Sequence, residues 1–168
     1  MLQKNIETAI NDQINAEFWS AYLYLSMSLH FENAGRPGIA NWFMIQYQEE
    51  QAHALALCSY LNARDGKVLL MPIEEVPTSW ESPLAAFEAT LEHEKKVTKK
   101  INDLYALAEQ SNDFATRQKL NTFVAEQVEE EESVRQIIDD LKLVGQDGTG
   151  LLQIDRELGA RTFVAPQL

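Results

Sequence analysis

Glu49-Glu50-Gln51-Ala52-His53 sets a carboxylate and an imidazole three residues apart, at Glu50 and His53. Residues three apart on a helix share a face, so both side chains can reach one point in space. Steps of three and four through the surrounding segment, Pro37 to about Arg64, give Ile39, Phe43, Gln46, Glu50, His53, Leu57 and Leu61. This is an apolar core stripe with two ionisable groups in its middle. A charge at a core position is costly unless something compensates it. Glu-x-x-His alone is a weak signal, since it arises by chance on exposed helices; what matters here is the stripe it interrupts.

The elements that would position this pair are helices at about 5–33, 37–65, 83–110 and 114–144, with a short one at 150–159. The first stripe runs Ile6, Ile10, Ile14, Glu17, Ala21, Tyr24; the third runs Leu84, Phe87, Leu91, Glu94, Val97, Ile101, Leu104, Ala108. The fourth runs Leu120, Phe123, Gln127, Glu130, Val134, Ile137, Leu141, Val144, with two polar rungs side by side. Gly35 and Gly145 stop helices, Ser82-Pro83 starts one, and Ser111-Asn112-Asp113 can cap the fourth. Residues 66–82 carry prolines and no helical period. A loop of that length in a compact domain suits a crossover that carries the chain from one end of a helical hairpin to the other. Two short connections flanking a long one predict an all-α four-helix bundle, with helices two and three parallel. The outer face of helix one (Trp19, Leu23, Leu25, Leu29) is also apolar. It meets either another subunit or its own domain. The short last segment is either a cap on its own subunit or an assembly contact.

The chain has 168 residues, enough for one domain with a real core. Fourteen basic against 26 acidic residues leave a net charge of −12, which argues against nucleic acid and against an anionic membrane surface as partners. No apolar run spans a bilayer, and Met1 to Glu7 lacks the apolar centre of a signal peptide. Cys58 is the single cysteine, expected as a small buried hydrophobe; without a disulfide the simplest setting is reducing and cytoplasmic.

The polar interruptions repeat. Glu17 and Glu94, Glu49 and Glu126, Glu50 and Gln127, and His53 and Glu130 are all related by one constant offset along the chain. Heights agree as well: Glu17 and His53 lie equally far on either side of Gly35, and Glu94 and Glu130 lie equally far on either side of Asn112. With a fixed rise per residue, each hairpin brings its polar groups to one level. Two hairpins in pseudo-two-fold association would join all of them in a single core layer.

Four buried carboxylates and an imidazole cannot stay bare. No arginine or lysine lies on these stripes at this level. Protonation is one remedy and metal ions another. Glu17, Glu50, Glu94 and Glu130 carry four negative charges, which two divalent cations balance, with Glu50 or a partner bridging them. Oxygen donors with imidazole and no thiolate suit iron or manganese.

On these residues the chain resembles the ferritin family, most closely the bacterial non-haem ferritins, over essentially its whole length. The likeness rests on Glu17, Glu50-x-x-His53, Glu94 and Glu126-Gln127-x-x-Glu130. It implies a single ferritin-like domain over residues 1–168. It further implies a first iron on Glu17, Glu50 and His53 and a second on Glu50, Glu94 and Glu130, with Gln127 close by. Glu49, Glu126 and Glu129, sharing Glu130, resemble a third iron position. Tyr24 resembles the tyrosine beside the family's iron site, which makes it part of the catalytic group with Glu17, Glu50, His53, Glu94 and Glu130. The implied function is iron storage with ferroxidase activity. Fe(II) would be oxidised by O2 at a di-iron centre within the subunit, and Fe(III) kept as mineral in a hollow homo-oligomeric shell of 24 subunits.

Departures matter too. Haem-binding relatives place methionine where this chain has Gln51, and a second Glu-x-x-His where it has Gln127-x-x-Glu130, so no haem is expected. Thr122 stands where many bacterial relatives carry tryptophan. His30 and His93 fall outside the ligand stripes and are expected as surface or packing residues, and Asp113 is a candidate for a cation route at a three-fold axis. The alternative is a di-iron or di-manganese oxidase that acts on an organic substrate without storage.

Overall fold

Gly35 and Asn112 turn the chain at the tips of two helical hairpins, both with left-handed backbone (φ 68° and 53°). Glycine has no Cβ to clash there, and asparagine tolerates the region better than most residues. The two turns close alike: Arg36 N donates to Phe31 O and Asp113 N to Ala108 O, each at 2.9 Å. These positions are related by the same offset as the acids, so the repeat extends to the corners.

The computed structural model describes residues 2–166. Five helices follow in order: α1 (Lys4–Asn33), α2 (Pro37–Ala63), α3 (Pro83–Gln110), α4 (Phe114–Val144) and α5 (Gly148–Gly159). Ser82 Oγ accepts from Ala85 N at 3.1 Å to start α3, and the Asp113 carboxylate accepts from Thr116 N at 3.1 Å to start α4. α1 starts one residue before expectation, and two boundaries differ by two residues. α2 stops at Ala63 rather than at residue 65, because Asp65 is left-handed (φ 59°) and Gly66 N folds back to Leu61 O at 2.9 Å. α5 starts at Gly148 rather than at residue 150. Asp147 caps it by accepting from Gly150 N at 2.7 Å, so the glycine-rich stretch becomes its first turn.

α1 packs along α2 and α3 along α4. Between hairpins, Ser20 meets His93 and, further along α1, Met27 meets Thr90, so α1 and α3 run antiparallel. α2 and α3 are therefore parallel, as the crossover requires. On the other side Gln46 meets Glu130, His53 meets Phe123 and Tyr60 meets Thr116. Partners on both helices recur every seven residues, the spacing at which two packed helices keep the same faces together. Arg64 closes this seam on Asp113 with two bonds of 3.0 and 3.1 Å.

The core has two apolar parts. One is rich in rings (Tyr24, Phe31, Trp42, Phe43, Phe87); the other is mostly aliphatic (Ile6, Ile10, Ile14, Leu57, Leu61, Ile101). The polar layer foreseen from the repeat lies where they adjoin. The crossover is fixed along α1: Asn11 donates to Lys67 O at 3.0 Å and accepts from Leu69 N at 2.6 Å, and Ser26 Oγ donates to Pro77 O at 2.7 Å. The apolar outer face of α1 is divided. Leu23 is buried and Trp19 and Leu25 are half-buried, whereas Leu29 is 54% exposed beside exposed Tyr22.

α5 caps its own subunit. Ile154 and Asp155 are buried, and Asp155 Oδ1 accepts from Ile39 N at 3.0 Å at the start of α2. Gly38 makes that approach feasible, since a Cβ there would lie 1.5 Å from Asp155 O. Cys58 is half-buried rather than buried, on the flank of the aliphatic cluster. Among the described residues no helix is long and apolar enough to cross a membrane.

Candidate metal centre

Each of the four long helices delivers acid or amide groups to one buried layer: Glu17 from α1, Glu50 and His53 from α2, Glu94 from α3, Gln127 and Glu130 from α4. Glu17 and Glu94 have no exposed surface at all. In the first hairpin, ligand atoms of Glu17, Glu50 and His53 lie within 4.8 Å of one another. Gln13 Nε2 donates to Glu17 Oε1 at 2.8 Å. Glu17 Oε2, Glu50 Oε2 and His53 Nε2 are buried with no hydrogen-bond partner among the described residues. Three such orphans in one place are rare in a native core, where buried polar atoms are almost always paired. His53 Nδ1 lies 3.4 Å from Glu50 Oε2.

The second hairpin is dressed differently. Tyr24 donates a short hydrogen bond to Glu94 Oε1. Gln127 Nε2 donates to Glu94 Oε2 at 3.0 Å, and Gln46 Nε2 to Glu130 Oε2 at 2.9 Å. The constant offset explains the contrast position by position. The Gln46–Glu130 contact of one half corresponds to Phe123–His53 in the other, whose rings sit 5.6 Å apart. Tyr24, which serves Glu94, corresponds to Ile101, which has nothing to offer Glu17. The Gln127–Glu94 amide contact corresponds to the facing carboxylates of Glu50 and Glu17.

Electrostatics follow. Burial, then repulsion from Glu50, holds Glu17 well above the usual carboxylate range. Burial, then Glu94, does the same to Glu50. Glu94 is raised by burial against the pull of its Tyr24 and Gln127 bonds. Glu130 is pushed up to about 7 by burial and by Glu94 and Glu49, against the opposing effect of Gln46 and Arg161. Burial beside Glu94 also drives the Tyr24 hydroxyl well up, so it stays a donor. A cation in this layer would relieve the same repulsions that raise these acids.

The residues of the third position are not gathered in this way. Glu49 and Glu126 are half-buried and Glu129 is exposed. Glu49 Oε2 is taken by Arg161 Nη2 at 2.7 Å. Arg161, just beyond α5, supplies a cation from outside the four stripes. Nothing in helical periodicity points to it. Gln46 sits on a stripe as an amide between Phe43 and Glu50, a visible signal of a partner for the acids. His93 is half-buried and bonded to Ser20 at 2.8 Å; burial and two nearby lysines lower it to about 4, so it is a neutral packing group. His30 packs against Trp80 and Phe31. Thr122 Oγ1 bonds Lys119 O at 3.0 Å, and its neighbour Phe123 covers His53. Asp113 is committed to the α4 cap and to Arg64, which leaves little free charge for steering cations.

A carboxylate–histidine layer inside a four-helix bundle with a long crossover defines the class of helical bundles with acidic cores. More particularly, the chain belongs to the ferritin family: the ferritin-like domain matches residues 7–144. It is 44% identical to the bacterial non-haem ferritin of Bacteroides fragilis over 161 residues, covering 96% of this chain and all of that one. Identity to the bacterial non-haem ferritin of Staphylococcus aureus is 36% over 163 residues, 97% of this chain and 98% of that one. Among solved structures, an engineered closed form of the Archaeoglobus fulgidus ferritin superposes with a TM-score of 0.96 at 47% identity, covering 98% of this chain and 100% of that one. The open-pore ferritin from the same archaeon superposes with a TM-score of 0.95 at 47% identity, covering 96% and 100%.

Proposed function

We propose that this chain is an iron-storage ferritin with ferroxidase activity, which oxidises Fe(II) with O2 in the buried layer and retains Fe(III) as mineral in a hollow shell. The observation that carries this is the convergence of Glu17, Glu50 and His53 with buried, unpartnered ligand atoms. Fe(II) is the substrate. One ion takes Glu17, Glu50 and His53; the other takes Glu50, Glu94 and Glu130, with Gln127 beside it and Glu50 between the two. Desolvated carboxylates attract a divalent ion strongly in a low-dielectric interior, and protons they hold leave as iron enters. Each Fe(II) passes one electron to O2, the acceptor. Tyr24 and Gln127 fix the Glu94 carboxylate, a supporting role that orients a ligand and tunes its basicity.

The shell reading, with 24 subunits, draws on family membership and on the apolar surface of Tyr22, Leu29, Leu70 and Met71 along α1 and the crossover. A cytoplasmic setting fits the lone cysteine and the acidic composition. Gln51 and Gln127 leave no haem ligand of the usual kind, and Glu49, Glu126, Glu129 and Glu130 are the residues that would hold a third iron beside the pair. Stopped-flow absorbance of Fe(II)-loaded protein mixed with O2 tests the activity. A fast Fe(III) phase in the native chain, lost in His53→Ala and slowed in Glu130→Ala, is the expected result. Equal rates in all three would overturn it. A native species near the monomer mass of 19.1 kDa on size exclusion would overturn storage and favour the organic-substrate oxidase.

A further inference from the structure

We propose that Arg161 is a built-in cation at the third metal position, so that this chain binds two divalent ions per subunit and admits a third only by displacing the guanidinium. The proposal rests on the di-iron reading above. Arg161 Nη2 lies 2.7 Å from Glu49 Oε2, and Nη1 donates to Gln46 Oε1 at 2.5 Å. Gln46 in turn donates to Glu130 Oε2 at 2.9 Å. One side chain thus touches the outer carboxylate directly and reaches the inner one through a single amide. The guanidinium fork has the planar geometry that suits such paired acceptors.

Arg161 is held from behind rather than swinging free. Its guanidinium carbon lies 5.1 Å from the Trp42 ring centroid. Its carbonyl accepts from Asn41 Nδ2 at 3.0 Å, and Leu158 O accepts from the same amide at 3.3 Å. α5 and the start of α2 are joined through Asp155 and Gly38. The C-terminal segment is therefore anchored to α2 at two places, with Arg161 presented to Glu49 between α2 and α4. Arg161 and Glu49 are both partly accessible (29% and 16% of their side-chain surface), so a solvated ion can compete for the carboxylate. By contrast, Glu17, Glu50 and His53 have no lysine or arginine paired with them among the described residues. The difference predicts a two-ion layer behind an arginine stopper.

The test is anaerobic calorimetric titration of the metal-stripped shell with Zn(II), which is redox-inert and needs no turnover. Native protein should take two ions per subunit, the first more tightly than the second, with a third weak or absent. Arg161→Gln, neutral but still able to hydrogen-bond, should gain a third ion bound about tenfold more tightly than in the native chain. Arg161→Lys should remain close to native. Adding Glu49→Gln to Arg161→Gln should remove the gain. Arg161→Ala serves as the second neutral variant if the glutamine form fails to assemble. A purely structural role for Arg161 predicts losses at all positions, and no gain. Two ions in both the native and the neutral variants, three in the native with unchanged affinity in the variant, or a gain that survives Glu49→Gln would each overturn the proposal. Failure of the native protein to bind the first two ions would instead overturn the di-iron reading.

Discussion

The two helical hairpins are copies at a constant offset along the chain, yet they treat their acids in opposite ways. In α1 and α2 Glu17 Oε2, Glu50 Oε2 and His53 Nε2 are left without partners among the described residues, Gln13 bonding only the other Glu17 oxygen; in α3 and α4 Glu94 and Glu130 are bonded by Tyr24, Gln127 and Gln46. Two of those three donors, Tyr24 and Gln46, belong to the first hairpin. It supplies its neighbour with hydrogen bonds and receives in return only Phe123 and Ile101 at the matching positions. An orphaned buried acid is destabilising until something fills its shell, so the first half is poised for a cation. In the second half those bonds hold the acids in place, but an amide, Gln127, stands where the first half has the carboxylate of Glu50. On the proposed function this difference predicts an ordered pair: the Glu17, Glu50 and His53 position should bind more tightly and the Glu94 and Glu130 position more loosely, which would suit a site that must release its product.

The largest test of this contrast is Glu50→Ala, which removes the shared carboxylate. Both positions should fail together, with O2-dependent Fe(III) formation falling by more than the roughly 100-fold that loss of an outer partner costs. Survival of one position at normal affinity would mean that Glu50 bridges nothing.

Acidification tests the acids next. Glu130 is pushed up to about 7, so metal affinity at the second position should fall by about tenfold per pH unit below that. Glu17 and Glu50, also raised by burial and neighbouring carboxylates, should make the first position fall as well. Calorimetry in buffers across the range checks this. The sign for the metal-free protein is opposite. A raised folded pKa means that the folded state binds more protons between the ordinary 4.5 and about 7, so stability is full below 4.5 and is lost as pH rises through 7. The loss from this group is on the order of 3 kcal/mol, and thermal melts of metal-free protein should drop accordingly.

Tyr24→Phe should loosen only the second position, by about tenfold, because it strips one bond from Glu94 and none from Glu17. Single-turnover oxidation at rising Fe(II) reports it as a higher half-saturation. The smallest effect belongs to Gln127→Glu, which makes the second hairpin more like the first. Second-position occupancy should rise severalfold and Fe(III) release should slow; unchanged turnover and occupancy would show that the amide does not govern release.

Much of this layer is written in the spacing of α1 to α4. Glu17, Glu50, His53, Glu94, Gln127 and Glu130 interrupt apolar stripes at matched heights, and helical geometry alone brings them level. The short-range devices, Ser82, Asp113 and Gly35, were legible for the same reason: caps and left-handed turns are local chemistry. The start of α5 was not, because its glycines resemble a turn until the Asp147 cap is counted. Arg161 was hidden for a deeper cause. It follows the last helix and joins Glu49 from the far end of the chain through tertiary contact, which no periodicity encodes. The pairing of Gln46 with Glu130 is likewise a product of how α2 meets α4, although the amide itself stood in view on its stripe.

The most direct measurement is anomalous scattering from crystals soaked anaerobically in rising Fe(II), with occupancy refined separately at the two positions. Preferential filling of the Glu17, Glu50 and His53 position, with the Glu94 and Glu130 position following only at higher Fe(II), is the predicted result. Simultaneous filling, or filling of the Glu94 and Glu130 position first, would contradict an ordered pair.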